Sequence, residues 1–224
     1  MDEAKNKVEE ATGLRPTNEK LLNGYRTLKI PPRIKDHMRN MLIGKVKCGE
    51  FWRKMPGLEV RATCAACKKK DNSEIMESEQ HMWLECENNR QALTWETAKE
   101  VWQKSTERDW PNLSIGLIRG TAALKFEIDL NKDSDRIRIL ISIGIWAIWK
   151  SRDKTAITDQ DVSPNETSET LKELIKAQVR KSWNATRFLK GKRKLAQQRT
   201  IQTLWADGKL TDFRPKSGPV ADFS

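Results

Sequence analysis

The sequence predicts a mainly α-helical protein in which a small Cys3His module precedes a helical domain and a basic C-terminal helical tail. Three observations lead there. Apolar residues recur at helical spacing along most of the 224 residues. Cys64, Cys67, His81 and Cys86 follow the pattern C-x2-C-x13-H-x4-C, using three of the four cysteines and one of the two histidines. The formal charge of +11 is concentrated near the C-terminus.

Residues 1–30 read as an N-terminal helical arm. Lys5 to Glu10 forms a charged helix closed by Gly13 and Arg15-Pro16, and Thr17 to Glu19 caps a short helix carrying Leu21, Leu22 and Tyr25. Pro31-Pro32 breaks the chain and opens the second segment, residues 31–110. Ile34, Met38, Met41, Leu42 and Val46 recur there at helical spacing, and Gly49 ends that element. Phe51, Trp52 and Met55 precede a Pro56-Gly57 turn. Beyond the cysteine and histidine residues, Ala92, Trp95, Ala98 and Trp102 line one stripe of an amphipathic helix, and Trp110-Pro111 breaks the chain.

Residues 111–160 hold an expected polar linker, Asp129 to Asp135, and an element apolar almost all round, Ile137 to Trp149. Its isoleucines would suit a buried strand, but its length and the lack of a partner strand favour a central helix. Trp146 and Trp149, three apart, share a face and read as core packing. Thr155 to Val162 reads as a polar loop. In residues 161–224, Ser163-Pro164-Asn165-Glu166 combines an N-cap serine, a proline at the first helical position and a glutamate at the third. That helix is expected to run to about Lys190, burying Leu171, Leu174, Ile175, Val179 and Trp183, and to stop at Gly191. A second basic helix from Lys192 to Ala206 carries Leu195, Ile201, Leu204 and Trp205, and an extended, mobile tail is expected after Gly208.

Composition narrows the setting. The chain is 37% hydrophobic and 33% charged, and its first five residues, Met1 to Lys5, lack the apolar run of a signal peptide. The longest apolar run, Ile139 to Trp149, covers 11 residues, short of the roughly 20 needed to cross a bilayer. No membrane association is expected, and the location is expected to be intracellular, nuclear or cytoplasmic. There the cysteines read as reduced thiols or metal ligands rather than disulfides, and the N-x-S/T triplets at Asn112, Asn165 and Asn184 as silent.

Thiolates and imidazole are the ligands Zn2+ prefers, and four of them fill a tetrahedron without leaving a position for water or substrate. The motif therefore predicts a structural Zn2+ held by Cys64, Cys67, His81 and Cys86, with small Ala65 and Ala66 allowing the tight turn. His81 and Cys86 are five apart, which requires a loosened helix or a ligand at a helix end. Cys48 lies 16 positions before Cys64 and could replace one ligand, but its surroundings favour a small core residue.

Between Leu171 and Lys216 there are 13 Lys or Arg and three acids, 13 − 3 = +10. Lys176, Arg180, Lys181, Arg187, Lys190, Lys192, Arg193, Lys194 and Arg199 follow one another without an intervening acid. Localised charge of this kind suggests a polyanionic partner, RNA or DNA, with these nine side chains on phosphates. A solvated helix face is the plainer alternative.

The run from Phe51-Trp52 through Cys64-x2-Cys67 to Glu79-Gln80-His81-Met82-Trp83-Leu84-Glu85-Cys86, followed by a Trp-rich helix, resembles the zinc-binding region downstream of the reverse transcriptase in fungal non-LTR (LINE-type) retrotransposon polyproteins. Members show an E-H-x-x-x-x-C element there, which this chain departs from by inserting Gln80. Ile145-Trp146-Ala147-Ile148-Trp149-Lys150-Ser151-Arg152 is similar to the I-W-K-x-R signature that follows. Trp183 to Phe188 and Leu204 to Gly208 are similar to later pieces of the same region, and the likeness covers roughly residues 30–224. It implies a non-catalytic, nucleic-acid-binding C-terminal fragment that works beside an upstream reverse transcriptase/RNase H polypeptide. No Tyr-x-Asp-Asp polymerase motif is present, since the sole tyrosine, Tyr25, precedes Arg26-Thr27. Nor is a deaminase expected, because His81-Met82-Trp83 lacks the H-x-E glutamate. A structural or protein-interaction scaffold, decayed from such an element, is the alternative.

Overall fold

The computed structural model describes residues 1–128 and 132–205 and the backbone of 211–214 and 218–221. The protein is mainly α. Helix α1 (Asp2–Thr12) ends at Gly13, whose φ of 75° lets its N–H return to Glu9 O at 2.8 Å. Helix α2 (Asn18–Thr27) is capped by Thr17, as expected, and α3 (Pro32–Leu42) opens on Pro32 and buries Ile34, Met38, Met41 and Leu42. It stops at Leu42, short of Val46 and Gly49. Gly49 instead precedes the single turn α4 (Glu50–Arg53).

Helix α5 (Ala65–Asp71) and a π-helical turn (His81–Glu85) carry the cysteine–histidine set. Helices α6 (Gln91–Gln103) and α7 (Ile115–Gly120) lead to α8 (Asp133–Thr158), which packs against α3, α5, α6, α9 and α10. The central element is thus a helix, and it is longer than expected at both ends. Asp133 and Asp135 belong to it because Arg136, fully buried, binds the Asp133 carboxylate at 2.7 Å. The same guanidinium donates to Ser105 O, Leu204 O and Thr203 O at 2.8–3.0 Å. Residues 155–158 continue the helix rather than loop, with Lys154 paired to Glu166. At Gly144 a Cβ would stand 2.6 Å from the Trp95 ring, so the smallest residue lets α6 approach α8.

Helix α9 (Pro164–Ala185) begins as expected, with Ser163 Oγ accepting from Glu166 N at 3.1 Å. It ends five residues before Lys190, because buried Thr186 turns its hydroxyl onto Trp183 O at 2.7 Å and the chain tightens into a 3-10 turn (Thr186–Phe188). Helix α10 (Gly191–Trp205) follows. Past it, Thr211–Arg214 (β1) and Gly218–Ala221 (β2) pair as an antiparallel hairpin, where an extended tail was expected. Residues 206–210, 215–217 and 222–224 of that tail lie outside the described residues, as do 129–131.

One main core gathers residues from all four expected segments, from Val8 through Met38, Trp83 and Ile141 to Val179 and Trp205. The basic helices α9 and α10 contribute Leu171, Ile175, Val179, Ile201, Leu204 and Trp205 to this core. Among the described residues, no helix is long and apolar enough to cross a membrane.

Candidate metal centre and basic surface

Two short elements bring the cysteines and the histidine together. Before α5, Cys64 N donates to Ile75 O at 2.8 Å, and Glu77 N donates to Ala62 O at 2.9 Å, so the chain pairs with itself across Thr63 and Met76. Helix α5 starts from Cys64 and places Cys67 one turn on. At the return, Ser78 Oγ accepts from His81 N at 2.9 Å. The helix then widens, and Cys86 N donates to His81 O at 2.7 Å, a five-residue step. That step answers the five-residue spacing seen in the sequence. Side chains receive the carbonyls along the turn: Asn89 Nδ2 donates to Met82 O, Trp95 Nε1 to Trp83 O and Gln91 Nε2 to Leu84 O, at 2.7–3.1 Å.

Cys64, Cys67, His81 and Cys86 are all buried, and their ligand atoms lie within 4.8 Å of one another. Cys64 Sγ is 3.7 Å from Cys86 Sγ; Cys67 Sγ is 3.6 Å from Cys86 Sγ and 3.5 Å from His81 Nε2. A tetrahedral ion with metal–sulfur bonds of about 2.3 Å and metal–nitrogen bonds of about 2.0–2.1 Å would set sulfur–sulfur edges of about 3.8 Å and sulfur–nitrogen edges of about 3.6 Å. The three spacings match those edges, so the donor set fits a four-coordinate metal ion. Contact with Cys86 draws the Cys64 thiol down to about 4. The same contact and then burial push Cys86 up, and burial pushes Cys67 up. Three adjacent buried thiols resist ionising together, and a cation among them would let them do so. Asn88 Nδ2 approaches Cys67 Sγ at 3.5 Å and holds Asp71 at 3.1 Å.

Cys48 stands outside this set. It is partly buried against the main core, where burial pushes its thiol up to about 12.

Beside the centre stands a joint that the residue spacing alone does not reveal, because its partners are 75 positions apart. Arg152, at the end of the I-W-K-x-R run, grips buried Glu77 through Nε and Nη2 at 2.6–3.1 Å and lies 5.2 Å over the Trp149 ring. Burial lifts the Glu77 carboxyl above the usual carboxylate range against the pull of Arg152. Burial also works against the Arg152 charge, but Glu77 outweighs it and holds the guanidinium protonated. This pair ties the loop after α5 to α8.

Of the nine basic residues, Lys176, Arg180 and Lys181 sit on α9, Arg187 in the following turn, Lys190 in the link, and Lys192, Arg193, Lys194 and Arg199 on α10. Lys176 and Arg180 reach Glu173 at 3.0 and 3.4 Å. Among the described residues no ion pair engages the other seven, and all of these are exposed except half-buried Lys194. Comparison with protein-family models, with curated proteins and with solved structures gives no significant match.

Proposed function

We propose that the Cys3His cluster holds Zn2+ as a structural ion and that the α9–α10 surface binds nucleic acid. The protein then acts as a non-catalytic module of the retrotransposon reverse transcriptase type. Zinc is favoured over other ions by the donor set, three sulfurs and one imidazole nitrogen at tetrahedral spacing. Lys69 and Asp159, bonded at 3.1 Å, and Arg152 with Glu77 carry the order of the metal loop to the helical core. The nucleic-acid reading rests on one observation above all: seven cations on neighbouring turns have no intramolecular counter-charge among the described residues. Such a surface lowers its energy by taking phosphates and releasing their counterions.

Metal analysis of the purified protein, followed by titration of labelled RNA or DNA across salt, tests both halves. One equivalent of zinc per chain is expected. The logarithm of affinity should fall with the logarithm of salt by about 0.7–0.9 for each phosphate held. A slope near zero, or no binding at low salt, would leave a zinc-stabilised protein-interaction scaffold in its place.

A further inference from the structure

Phe188 is the most exposed large apolar side chain among the described residues, at 88%. Its setting is not a loose one. Thr186, 1% exposed, anchors the 3-10 turn through its hydroxyl, and Leu189 N donates back to Thr186 O at 3.1 Å. A fixed backbone therefore presents the ring to solvent at the junction of the two basic helices. Arg180, Lys181, Asn184 and Arg187 surround it in an open depression of about 730 Å3 that no acid lines. Arg180 also reaches Glu173 at 3.4 Å.

A second depression, of about 340 Å3, adjoins the first through Lys181 and Ala185. Lys29 stands at its edge and Ile30 and Leu189 form apolar wall. Gln178, 5% exposed, lines it. Its amide nitrogen is committed, donating to Lys29 O and, at 3.0 Å, to Ser182 Oγ. Its oxygen Oε1 is buried without any partner. A buried acceptor left unpaired is costly, and an N–H that reaches it from the depression, with a small turn of the Gln178 amide, would satisfy it.

These features ask for one ligand: a flat ring face for Phe188, negative charge for the surrounding cations, and an N–H for Gln178. A duplex offers phosphates but keeps its base faces stacked inside, whereas a single strand offers all three. We propose that Phe188 is a stacking platform for an unpaired base, so that this surface takes single-stranded nucleic acid in preference to duplex. The proposal rests on the nucleic-acid reading above and narrows it. Lys29 and Lys181 hold flanking phosphates, and Gln178 accepts from the edge of a neighbouring base.

The test uses the full, zinc-loaded chain with a fluorescein-labelled oligo(dT) of about 12 nucleotides and the matching dT·dA duplex. The wild type should bind the single strand more tightly. Phe188→Ala should weaken that binding about 5- to 150-fold, with duplex affinity and the salt slope unchanged, and Phe188→Trp should retain it. The ring touches nothing that holds the fold, and a melting curve confirms that Phe188→Ala is folded. Equal affinity of Phe188→Ala and wild type for the single strand, or a wild-type preference for duplex, overturns the platform and leaves the phosphate-binding surface standing. Failure of both probes to bind at low salt overturns both. A wild-type dimer in sedimentation that Phe188→Ala dissolves, with oligonucleotide affinity intact, assigns the ring to a second copy of the chain and overturns the platform.

Discussion

Between Phe51 and Ser78 the buried residues are Ala62, Cys64, Cys67 and Glu77, while Val60, Ile75 and Met76 stay exposed. Helix α8, of 26 residues, buries thirteen, seven of them isoleucine or leucine. The two stretches thus fold by different means. A loop with so little apolar surface to bury cannot offset its lost conformational entropy by packing, so on the proposed zinc reading its order depends on the four clustered side chains and on the Glu77–Arg152 and Lys69–Asp159 ion pairs. The α8 region, with Met38, Trp83, Trp102 and Ile175 around it, depends on close packing. The comparison teaches where each perturbation should land.

Removal of the metal should have the largest effect. Chelation or Cys67→Ser should release binding energy on the order of 10 kcal/mol at neutral pH. Hydrogen exchange should then rise sharply over residues 51–86 and little in α8. Equal loss of protection in both would break the distinction. The Glu77–Arg152 joint comes next. Glu77→Ala leaves a largely buried guanidinium with Asp153, at 3.0 Å, as its remaining carboxylate and should cost up to about 3–5 kcal/mol in urea melts, whereas replacing both partners by apolar residues should recover most of that loss.

Acid should act on the packed side. His37 lies among Trp83, Trp146 and Trp149, at ring centroid separations of 6.0, 5.7 and 4.8 Å, and burial pulls its imidazole from 6.5 down to about 4. The unfolded chain takes up this proton near pH 6.5 and the folded chain only near 4. Stability from His37 is therefore complete above pH 6.5 and declines as pH falls toward 4, by no more than about 3 kcal/mol. His37→Gln should flatten that part of the urea midpoint against pH; an unchanged profile would move the acid sensitivity to the metal ligands. Smallest is the cap of α9: Ser163→Ala removes the acceptor for Glu166 N and should cost about 1 kcal/mol, measured as a drop in Tm without any change in metal content.

Much of this was legible before any coordinates. The cysteine and histidine spacing brought out the candidate metal set, and the five-residue gap from His81 to Cys86 required either a loosened helix, which the π-helical turn supplies, or a ligand at a helix end. Apolar periodicity located α3, α6 and α8, and turn chemistry located the start of α9. Legibility failed where polar residues serve long-range partners. Asp133 reads as linker because Thr106 and Arg108, which bind its carboxylate, lie 27 and 25 positions away in sequence, and Arg136 bonds Ser105 O and Leu204 O from 31 and 68 positions away. Thr155 to Thr158 looked like loop for the same reason, since Arg152 and Lys154 hold that end of α8 through Glu77 and Glu166. Phe188 gave no apolar periodicity to read and stood only as the last residue of the Trp183 to Phe188 piece of the resemblance.

The π-helical turn has a consequence for what the chain can tolerate. Its ends, His81 and Cys86, join the cysteine–histidine cluster, while Met82 and Trp83 between them are fully buried in the helical core. One short stretch therefore answers to two masters whose angular demands are reconciled by a single surplus residue. Deleting any one position from 82–85 would restore ordinary helical pitch yet swing everything beyond it by about 100°. Either the sulfur would leave the cluster or the indole would leave the core. Length variation should consequently be tolerated in the Asn72 loop long before it is tolerated here.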